Sequence, residues 1–200
     1  LTGLLMLVLA LGRQKGLDDV RIEGILGELR QLPNLIEQTV ALDKPIEKLS
    51  EAFVEKHHTL FLGRGVQFPV ALEGALKLKE ISYIHAEGYA AGEIKHGPIA
   101  LIDENMPVVV IANNGPLFDK LVSNLEQVRA RDGRVIAIVT EGNSDLAEKA
   151  TEVLHIPDLG EFLTSILAVI PLQLLAYHIA TLRGTDVDQP RNLAKSVTVE

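Results

Sequence analysis

Three ionisable residues, Glu73, Lys77 and Glu80, follow one another at intervals of four and three residues in a mostly apolar stretch. In a helix this spacing places all three side chains on one face. His96 follows in a loop that is bounded by glycine and proline. A carboxylate, an ammonium group and an imidazole can together donate and accept protons near neutral pH. The pattern therefore predicts a site of proton-transfer chemistry.

The same residues also fit an ordinary structural explanation. Glu80 fits a solvated helix face on which Lys77 forms ion pairs with both glutamates, each contributing about 0.2–0.5 kcal/mol. A single loop histidine such as His96 is most often a surface residue. The pattern alone favours the solvated face for Glu80, so the chemical interpretation needs support from elsewhere in the sequence.

The elements that must position these residues alternate between strand and helix. Strands are predicted at 59–63, 107–112, 135–140 and 153–156, and helices at 69–85, 116–131 and 159–182. Ahead of them, helices are predicted at 20–30, 33–40 and 45–56, with Asp43 as the N-cap of the third. This order predicts a three-layer α/β/α sandwich with a mostly parallel sheet and right-handed crossovers. Residues 86–98 are predicted to form a loop.

The first eleven residues are strongly apolar but do not fit a membrane anchor. A bilayer-spanning helix needs about 20 apolar residues, and the segment lacks the basic leader of a signal peptide. We interpret it as the buried last helix of a preceding domain. The predicted organisation is therefore the end of that domain with linker helices at 1–43, the main domain at 44–185, and an irregular lid-like tail at 186–200.

The composition argues against several classes of protein. The chain of 200 residues carries a net charge of −8, which disfavours a nucleic-acid-binding surface because phosphate binding needs clustered Lys and Arg. Cysteine is absent, which excludes disulfides, thiolate metal sites and cysteine nucleophiles and suits a reducing cytoplasm. The histidines other than His96 share no metal-ligand spacing with carboxylates. No metal site is expected.

Two runs of the sequence carry a resemblance to a known family. The first reads Glu73-Gly-Ala-Leu-Lys-Leu-Lys-Glu-Ile-Ser-Tyr-Ile-His-Ala-Glu-Gly-Tyr89 and goes on to Gly92-Glu-Ile-Lys-His-Gly-Pro98. The second reads Asp186-Val-Asp-Gln-Pro-Arg-Asn-Leu-Ala-Lys-Ser-Val-Thr-Val-Glu200. Both resemble the glucosamine-6-phosphate synthases, also called glutamine–fructose-6-phosphate aminotransferases (isomerising). The resemblance covers the second of that family's two sugar-isomerase (SIS) domains and a segment entering from the first.

This resemblance implies an SIS-type fold and a set of site residues. In the family, fructose 6-phosphate and glutamine-derived ammonia become glucosamine 6-phosphate, and the matching Glu80 moves a proton between C1 and C2 of the open-chain sugar. The matching Lys77 helps with the hydroxyl protons, and the matching His96 opens the fructose ring in the neighbouring subunit, which implies a homodimer. The matching Lys195 engages the sugar carbonyl as a Schiff base, and Ala194 makes a backbone contact to the sugar. No metal or organic cofactor is implied.

The missing parts of the family's architecture limit what this chain does alone. Glu80 lies eleven residues past Pro69, about 16 Å along the predicted helix, far from the strand carboxyl ends where ligands normally bind. Family members hold the phosphate with a Ser/Thr-rich loop, whereas the loop at 63–68 has no hydroxyl and the loop at 140–145 carries Glu141 and Asp145. We therefore expect the first SIS domain to present the sugar and the glutaminase domain to supply ammonia. The isolated chain should be inactive as a synthase.

Two other interpretations remain open at this point. A non-catalytic SIS module could bind a sugar phosphate and regulate a partner, but it would need the Ser/Thr-rich loop rather than Glu80, His96 and Lys195. A pure dimerisation domain is suggested by the long apolar helix at 159–182. Replacing Glu80 in the full-length enzyme distinguishes these interpretations from catalysis.

Overall fold

A five-stranded parallel sheet forms the centre of the chain in the computed structural model, which describes residues 1–143, 146 and 148–193, with the backbone alone at residue 161. The strand order is β2-β1-β3-β4-β5, and every neighbouring pair is parallel. The strands are β1 (His58–Gly63), β2 (His85–Ala90), β3 (Pro107–Ala112), β4 (Arg134–Thr140) and β5 (Glu152–Ile156).

Six α-helices and three short 3₁₀ segments accompany the sheet in the described part of the chain. The helices are α1 (Thr2–Gln14), α2 (Asp19–Val40), α3 (Asp43–Ser50), α4 (Gln67–Ser82), α5 (Phe118–Arg129) and α6 (Gly160–Leu182). The 3₁₀ segments are Glu51–Phe53, Ala91–His96 and Pro98–Leu101.

The helices cover both faces of the sheet because alternate strand residues point to opposite sides. Phe61, Val109 and Ile138 belong to the core cluster that packs on α3, α4 and α6. Leu62 and Val110 belong to the second cluster, which packs on α5 and on the 3₁₀ segments Ala91–His96 and Pro98–Leu101. The predicted three-layer α/β/α sandwich is therefore confirmed.

The two central strands lie where the sequence predicts them. β3 has the predicted bounds and β4 begins one residue earlier than predicted, at Arg134. Every residue of β3 is buried, as is every residue of β4 after Arg134. Strands buried on both faces in a parallel sheet are runs of Val and Ile, which makes them recognisable in the sequence.

Helix α6 packs centrally in the domain. Phe162–Leu182 is long and apolar enough to cross a membrane by length and composition alone, yet about half of it is buried within the domain (56% of the most apolar window). Gly74 lets α4 approach α6 closely, because a Cβ atom at this position would lie 2.7 Å from Leu172 Cδ1 and 3.0 Å from Phe61 Cδ1. Core packing therefore explains the apolar character of α6.

The largest difference from the sequence-based expectation concerns β2. Residues 86–90 are predicted to lie in a loop and residue 85 in a helix, whereas all six form a strand. β2 is an edge strand that pairs only with β1 among the described strands, and it is mostly half-buried. It contains a glycine that hides the strand pattern, and Gly88 is needed because a Cβ there would lie 2.9 Å from Leu72 Cα of α4. Helix α4 accordingly ends at Ser82, not at residue 85.

Two predictions on the N-terminal helices are also wrong. The helices predicted at 20–30 and 33–40 are one helix, α2, which runs through Pro33. Leu29 and Ile36 pack on the same core cluster on either side of the proline, so burial outweighs the lost backbone hydrogen bond. Asp43 is the first residue of α3 rather than its N-cap, and its carboxylate instead contacts His178 Nε2 at 2.7 Å.

The apolar N-terminal helix α1 is largely exposed within this chain. Leu9 is buried, whereas Leu4 and Val8 are 65% and 61% exposed. The expected burial of residues 1–11 is therefore not provided by the rest of this chain. Their packing on a preceding domain stays a prediction, as do the domain limits at 1–43, 44–185 and 186–200.

Candidate active site

The carboxyl ends of β1 and β3 form a crevice at the switch point of the sheet. The chain crosses from β1 to β2 on one side and from β3 to β4 on the other, which is where open parallel sheets normally bind ligands. Arg64, Gln67 and Asn113 line the crevice, and its lining contains no Ser or Thr among the described residues. Both amide atoms of Asn113 and Oε1 of Gln67 are buried without a hydrogen-bond partner in the described part of the chain.

The predicted face of α4 is present, with its three charged residues in contact. Lys77 Nζ lies 2.7 Å from Glu80 Oε2 and 3.8 Å from Glu73 Oε1. The three side chains are 28–40% exposed, so a ligand can reach them. The hydrogen bond to Glu80 raises the pKa of Lys77, with attraction to both carboxylates adding to it and partial burial opposing it. Lys77 therefore stays a cation that donates to Glu80.

Glu80 lies far from the crevice at the switch point. It is thirteen residues after Gln67, where α4 begins at the carboxyl edge of the sheet. At 1.5 Å per residue this is about 20 Å along the helix. The helix ends two residues later, next to the amino edge of β2. A substrate that contacts Glu80 must therefore approach from outside the crevice.

His96 lies at the opposite edge of the sheet. Leu72 of α4 packs on Gly88 in the middle of β2. Glu80 lies two helical turns after Leu72, toward the amino edge of the sheet. His96 lies in the other direction, beyond the carboxyl end of β2. The His96 side chain is 62% exposed, and its Nε2 is 3.8 Å from Glu93 Oε2. The fold therefore brings Lys77 and Glu80 together within one chain but does not bring His96 to them.

The C-terminal tail approaches the end of α4 that carries Glu80. Ala194 and Lys195, two predicted site residues, lie outside the described residues, whereas the chain up to Leu193 is described. The Arg191 amide donates a hydrogen bond to the Tyr83 hydroxyl at 2.9 Å. The Arg191 guanidinium carbon lies 4.1 Å from the centre of the Tyr83 ring. No local sequence pattern points to this pair, because its two residues lie 108 positions apart.

A second group of polar side chains lies on β1 and β2, away from the charged face of α4. His58 and His85 rings lie 5.6 Å apart at the amino edge of the sheet, and His85 Nε2 is 3.5 Å from Glu87 Oε1. Tyr89 donates to Glu87 Oε2 at 2.6 Å, and this hydrogen bond raises the pKa of Tyr89. Within the described residues, no group of three or more His, Asp or Glu side chains is arranged to hold a metal ion.

A parallel sheet with helices on both faces and a crevice at its switch point defines a doubly wound α/β domain. The model of one such family, the SIS domain, matches residues 52–183, and the chain belongs to this family.

Individual relatives narrow the similarity further. The chain is 59% identical over 201 residues to the glutamine–fructose-6-phosphate aminotransferase (isomerising) of Pseudomonas aeruginosa, and 57% identical over 200 residues to that of Escherichia coli K12. Each alignment covers 100% of this chain and 33% of the relative, so the chain spans about a third of the length of the curated relatives it matches. The predicted resemblance is confirmed, and it is to the C-terminal part of these enzymes.

A solved structure agrees with this similarity. The C-terminal domain of glucosamine-fructose-6-phosphate aminotransferase from Francisella tularensis superposes with a TM-score of 0.88 at 44% identity. The superposition covers 93% of this chain and 53% of that chain. The architecture is therefore shared with part of that C-terminal domain, whose chain is about twice as long.

Proposed function

We propose that this chain is the second SIS domain of an enzyme that converts fructose 6-phosphate and glutamine-derived ammonia to glucosamine 6-phosphate. The observation that carries the proposal is the Lys77–Glu80 pair, held at 2.7 Å on a helix face that is only partly buried. It occurs in a chain 59% identical to an aminotransferase that isomerises its sugar. A half-exposed ion pair contributes little to stability, so the main effect of this one is to hold the two side chains together where a ligand can reach them.

The chemistry proposed for the pair is a proton transfer between adjacent carbons. Once ammonia has formed the C2 imine of the open-chain sugar, Glu80 removes the proton from C1 and the C1–H electrons form a C1=C2 bond. Returning the proton to C2 and releasing the O1 proton then gives the C1 aldehyde and the C2 amine. Lys77 assists with the protons of the sugar hydroxyls, donating a proton from its ammonium group and taking one back in turn. The protonated imine accepts the electron pair, so the step needs no metal or organic cofactor.

The same proposal assigns the remaining predicted site residues. Lys195 forms a Schiff base with the C2 carbonyl before ammonia displaces it, and the backbone of Ala194 contacts the sugar. His96 opens the fructose ring from the neighbouring subunit of a homodimer. The separation of His96 and Glu80 to opposite edges of the sheet supports this arrangement, because a second copy is the simplest source of an imidazole at Glu80.

Other domains complete the proposed enzyme. A first SIS domain would bind the phosphate, and a glutaminase domain would release ammonia. Two observations support this division: the chain spans 33% of its relatives, and the crevice at its own switch point has no Ser or Thr in its described lining. The cysteine-free sequence fits the proposed location in the cytoplasm. Neither a nucleic acid nor a membrane is part of the proposal, and the tail at 186–200 would act as a lid.

Glu80→Gln in the full-length protein tests the proposal. The amide keeps the size of the side chain and its hydrogen bond from Lys77 but cannot take a proton. We expect isomerisation of fructose 6-phosphate and formation of glucosamine 6-phosphate to fall about 10²- to 10⁴-fold, with the dimer intact by sedimentation. Glu47→Gln is the matched control, because Glu47 pairs with Lys44 at 2.9 Å with the same spacing of three residues on α3. Unchanged isomerisation in Glu80→Gln would remove the catalytic role and favour a regulatory or dimerisation module.

A further inference from the structure

The crevice at the switch point lies at the other end of α4 from Glu80. Its lining follows β1 and β3, two neighbouring strands in which Leu62 pairs with Val110. Arg64 comes two residues after Leu62, and Asn113 comes three residues after Val110. Neighbouring strands are about 4.8 Å apart, so the two side chains start from adjacent points on the carboxyl edge of the sheet.

Gln67 reaches the same crevice because α4 begins very close to the end of β1. Gly63 permits this approach, since a Cβ atom at Gly63 would overlap the carbonyl oxygen of Gln67. Gln67 Nε2 donates a hydrogen bond to Ser165 Oγ at 3.4 Å, which leaves Oε1 as the unused atom of this amide. Gln67 and Asn113 are each only 7% exposed. Two almost fully buried amide side chains therefore line the crevice.

Three atoms of these two amides have no hydrogen-bond partner in the described part of the chain. They are Gln67 Oε1, Asn113 Oδ1 and Asn113 Nδ2. Leaving a buried polar atom unpaired destabilises the folded state, so such atoms in a ligand crevice call for an explanation. Two donors and one acceptor would satisfy all three atoms. A primary carboxamide supplies these with its two N–H groups and its carbonyl oxygen.

The charge of the crevice favours an anionic ligand. Arg64 is the only ionisable residue in the described lining, and its hydrogen bond to Asn124 Oδ1 at 3.2 Å uses one of five guanidinium N–H donors. Helices α4 and α5 both begin at the crevice without a side-chain cap, so their first turns add positive potential. A carboxylate suits this arrangement because it can accept two parallel hydrogen bonds from a guanidinium.

We propose that the crevice binds a small carboxylic acid that also carries a primary amide. Asn113 accepts one amide N–H and donates to the amide carbonyl, Gln67 Oε1 accepts the other N–H, and the carboxylate lies at half-buried Arg64. The crevice has a volume of about 50 Å³, which holds a group of a few heavy atoms, so the rest of the ligand lies at its mouth. This site is separate from Glu80, about 20 Å away along α4, and does not rest on the proposed function.

Replacing Asn113 tests the amide contact. Leucine has nearly the same size but neither donor nor acceptor, and an apolar group in place of an unpaired buried amide is neutral or stabilising. Asn113→Leu should therefore keep the thermal stability of the unaltered protein. Asn113→Asp removes the donor and repels a carboxylate. Asn105→Asp is its matched control, because it adds the same charge at the amino edge of the sheet, where exposed Asn105 contacts Lys56.

Succinamate, the monoamide of succinic acid, is the probe for the full-length protein. Hydrogen exchange is measured at residues 64–67 and 111–118, so that binding in another domain does not affect the reading. We expect succinamate to slow exchange there, with an affinity that falls about 30-fold in Asn113→Leu through the loss of two hydrogen bonds. The loss should be at least as large in Asn113→Asp and absent in Asn105→Asp and Glu80→Gln. Succinate, which lacks the amide, and butyramide, which lacks the carboxylate, should both bind more weakly.

The other outcomes overturn the proposal. Slower exchange with inorganic phosphate but not with succinamate would show a simple oxyanion site. Equal affinity for succinamate in Asn113→Leu and the unaltered protein would show that the amide is not recognised. If none of the compounds changes exchange at these residues, the unpaired atoms hold an ordered water only. None of these results bears on Glu80, so a loss of isomerisation in Glu80→Gln would leave the proposed function standing.

Discussion

Gly74 provides a quantitative test of how closely α4 packs on the core. In Gly74→Ala, the new methyl group would lie 2.7 Å from Leu172 Cδ1 and 3.0 Å from Phe61 Cδ1. An ordinary carbon–carbon contact is about 3.5–4.0 Å, so both side chains would have to move by roughly half an ångström or more. Leu172 and Phe61 are each only 1% exposed, which leaves them little room to do so.

A matched glycine isolates the packing contribution. Gly24 lies in α2 with nothing within 4 Å of a Cβ at its position. Both Gly→Ala replacements gain helix propensity of about 0.8–1 kcal/mol, but only Gly74→Ala incurs overpacking, which typically costs about 1–3 kcal/mol. We expect Gly24→Ala to be stabilised, and Gly74→Ala to be less stable than Gly24→Ala by about 1–3 kcal/mol.

Equilibrium unfolding in urea measures both variants against the unaltered chain. At an unchanged denaturant slope, the difference between the two midpoints multiplied by that slope gives the packing contribution. Equal stability of Gly74→Ala and Gly24→Ala would refute the inference that α4 and α6 are in tight contact. The positions of Lys77 and Glu80, which follow Gly74 on the same helix, would then be less firmly fixed than we infer.

Two further predictions concern charge and assembly. The pKa values of Lys77 and Tyr89 are raised by hydrogen bonds to Glu80 and Glu87, so the stability they contribute is fully present below the ordinary values of 10.5 and 10.0 and is lost as the pH rises above them. Unfolding free energy measured against pH should therefore decline from about pH 10, less steeply in Lys77→Met and Tyr89→Phe; an unaltered slope in both variants would contradict the assignment. If His96 acts across subunits, mixed dimers of Glu80→Gln and His96→Ala each contain one intact site, and co-expression should restore about a quarter of the activity. If the activity is no higher than that of either variant alone, His96 does not act in the site of the neighbouring subunit.

The sequence predicts those parts of the fold in which burial is uniform. β3 and β4 are buried on both faces and are continuous runs of apolar residues, so their bounds are correct to within one residue. β2 is an edge strand in which polar residues alternate with small ones, and its pairing with β1 depends on a sheet that the local sequence does not describe. Pro33 is tolerated in α2 because tertiary packing continues on both sides of it, which a local rule cannot show.

In the candidate site, too, the sequence predicts local contacts but not those between distant segments. The contact between Lys77 and Glu80 follows from a spacing of three residues in a helix and is predictable. The distance from Glu80 to His96 depends on the antiparallel course of α4 and β2, which requires the topology. The contact of Tyr83 with Arg191 joins segments 108 residues apart. A contact across such a separation becomes visible only in three dimensions.

The position of Leu1 has a practical consequence. Leu1 lines a surface pocket together with Val66, Pro69 and Glu73, at the start of α4. A purification tag or fusion partner joined ahead of Leu1 would therefore emerge against the helix that carries Lys77 and Glu80. In the proposed enzyme, the segment that precedes Leu1 would likewise enter beside this helix.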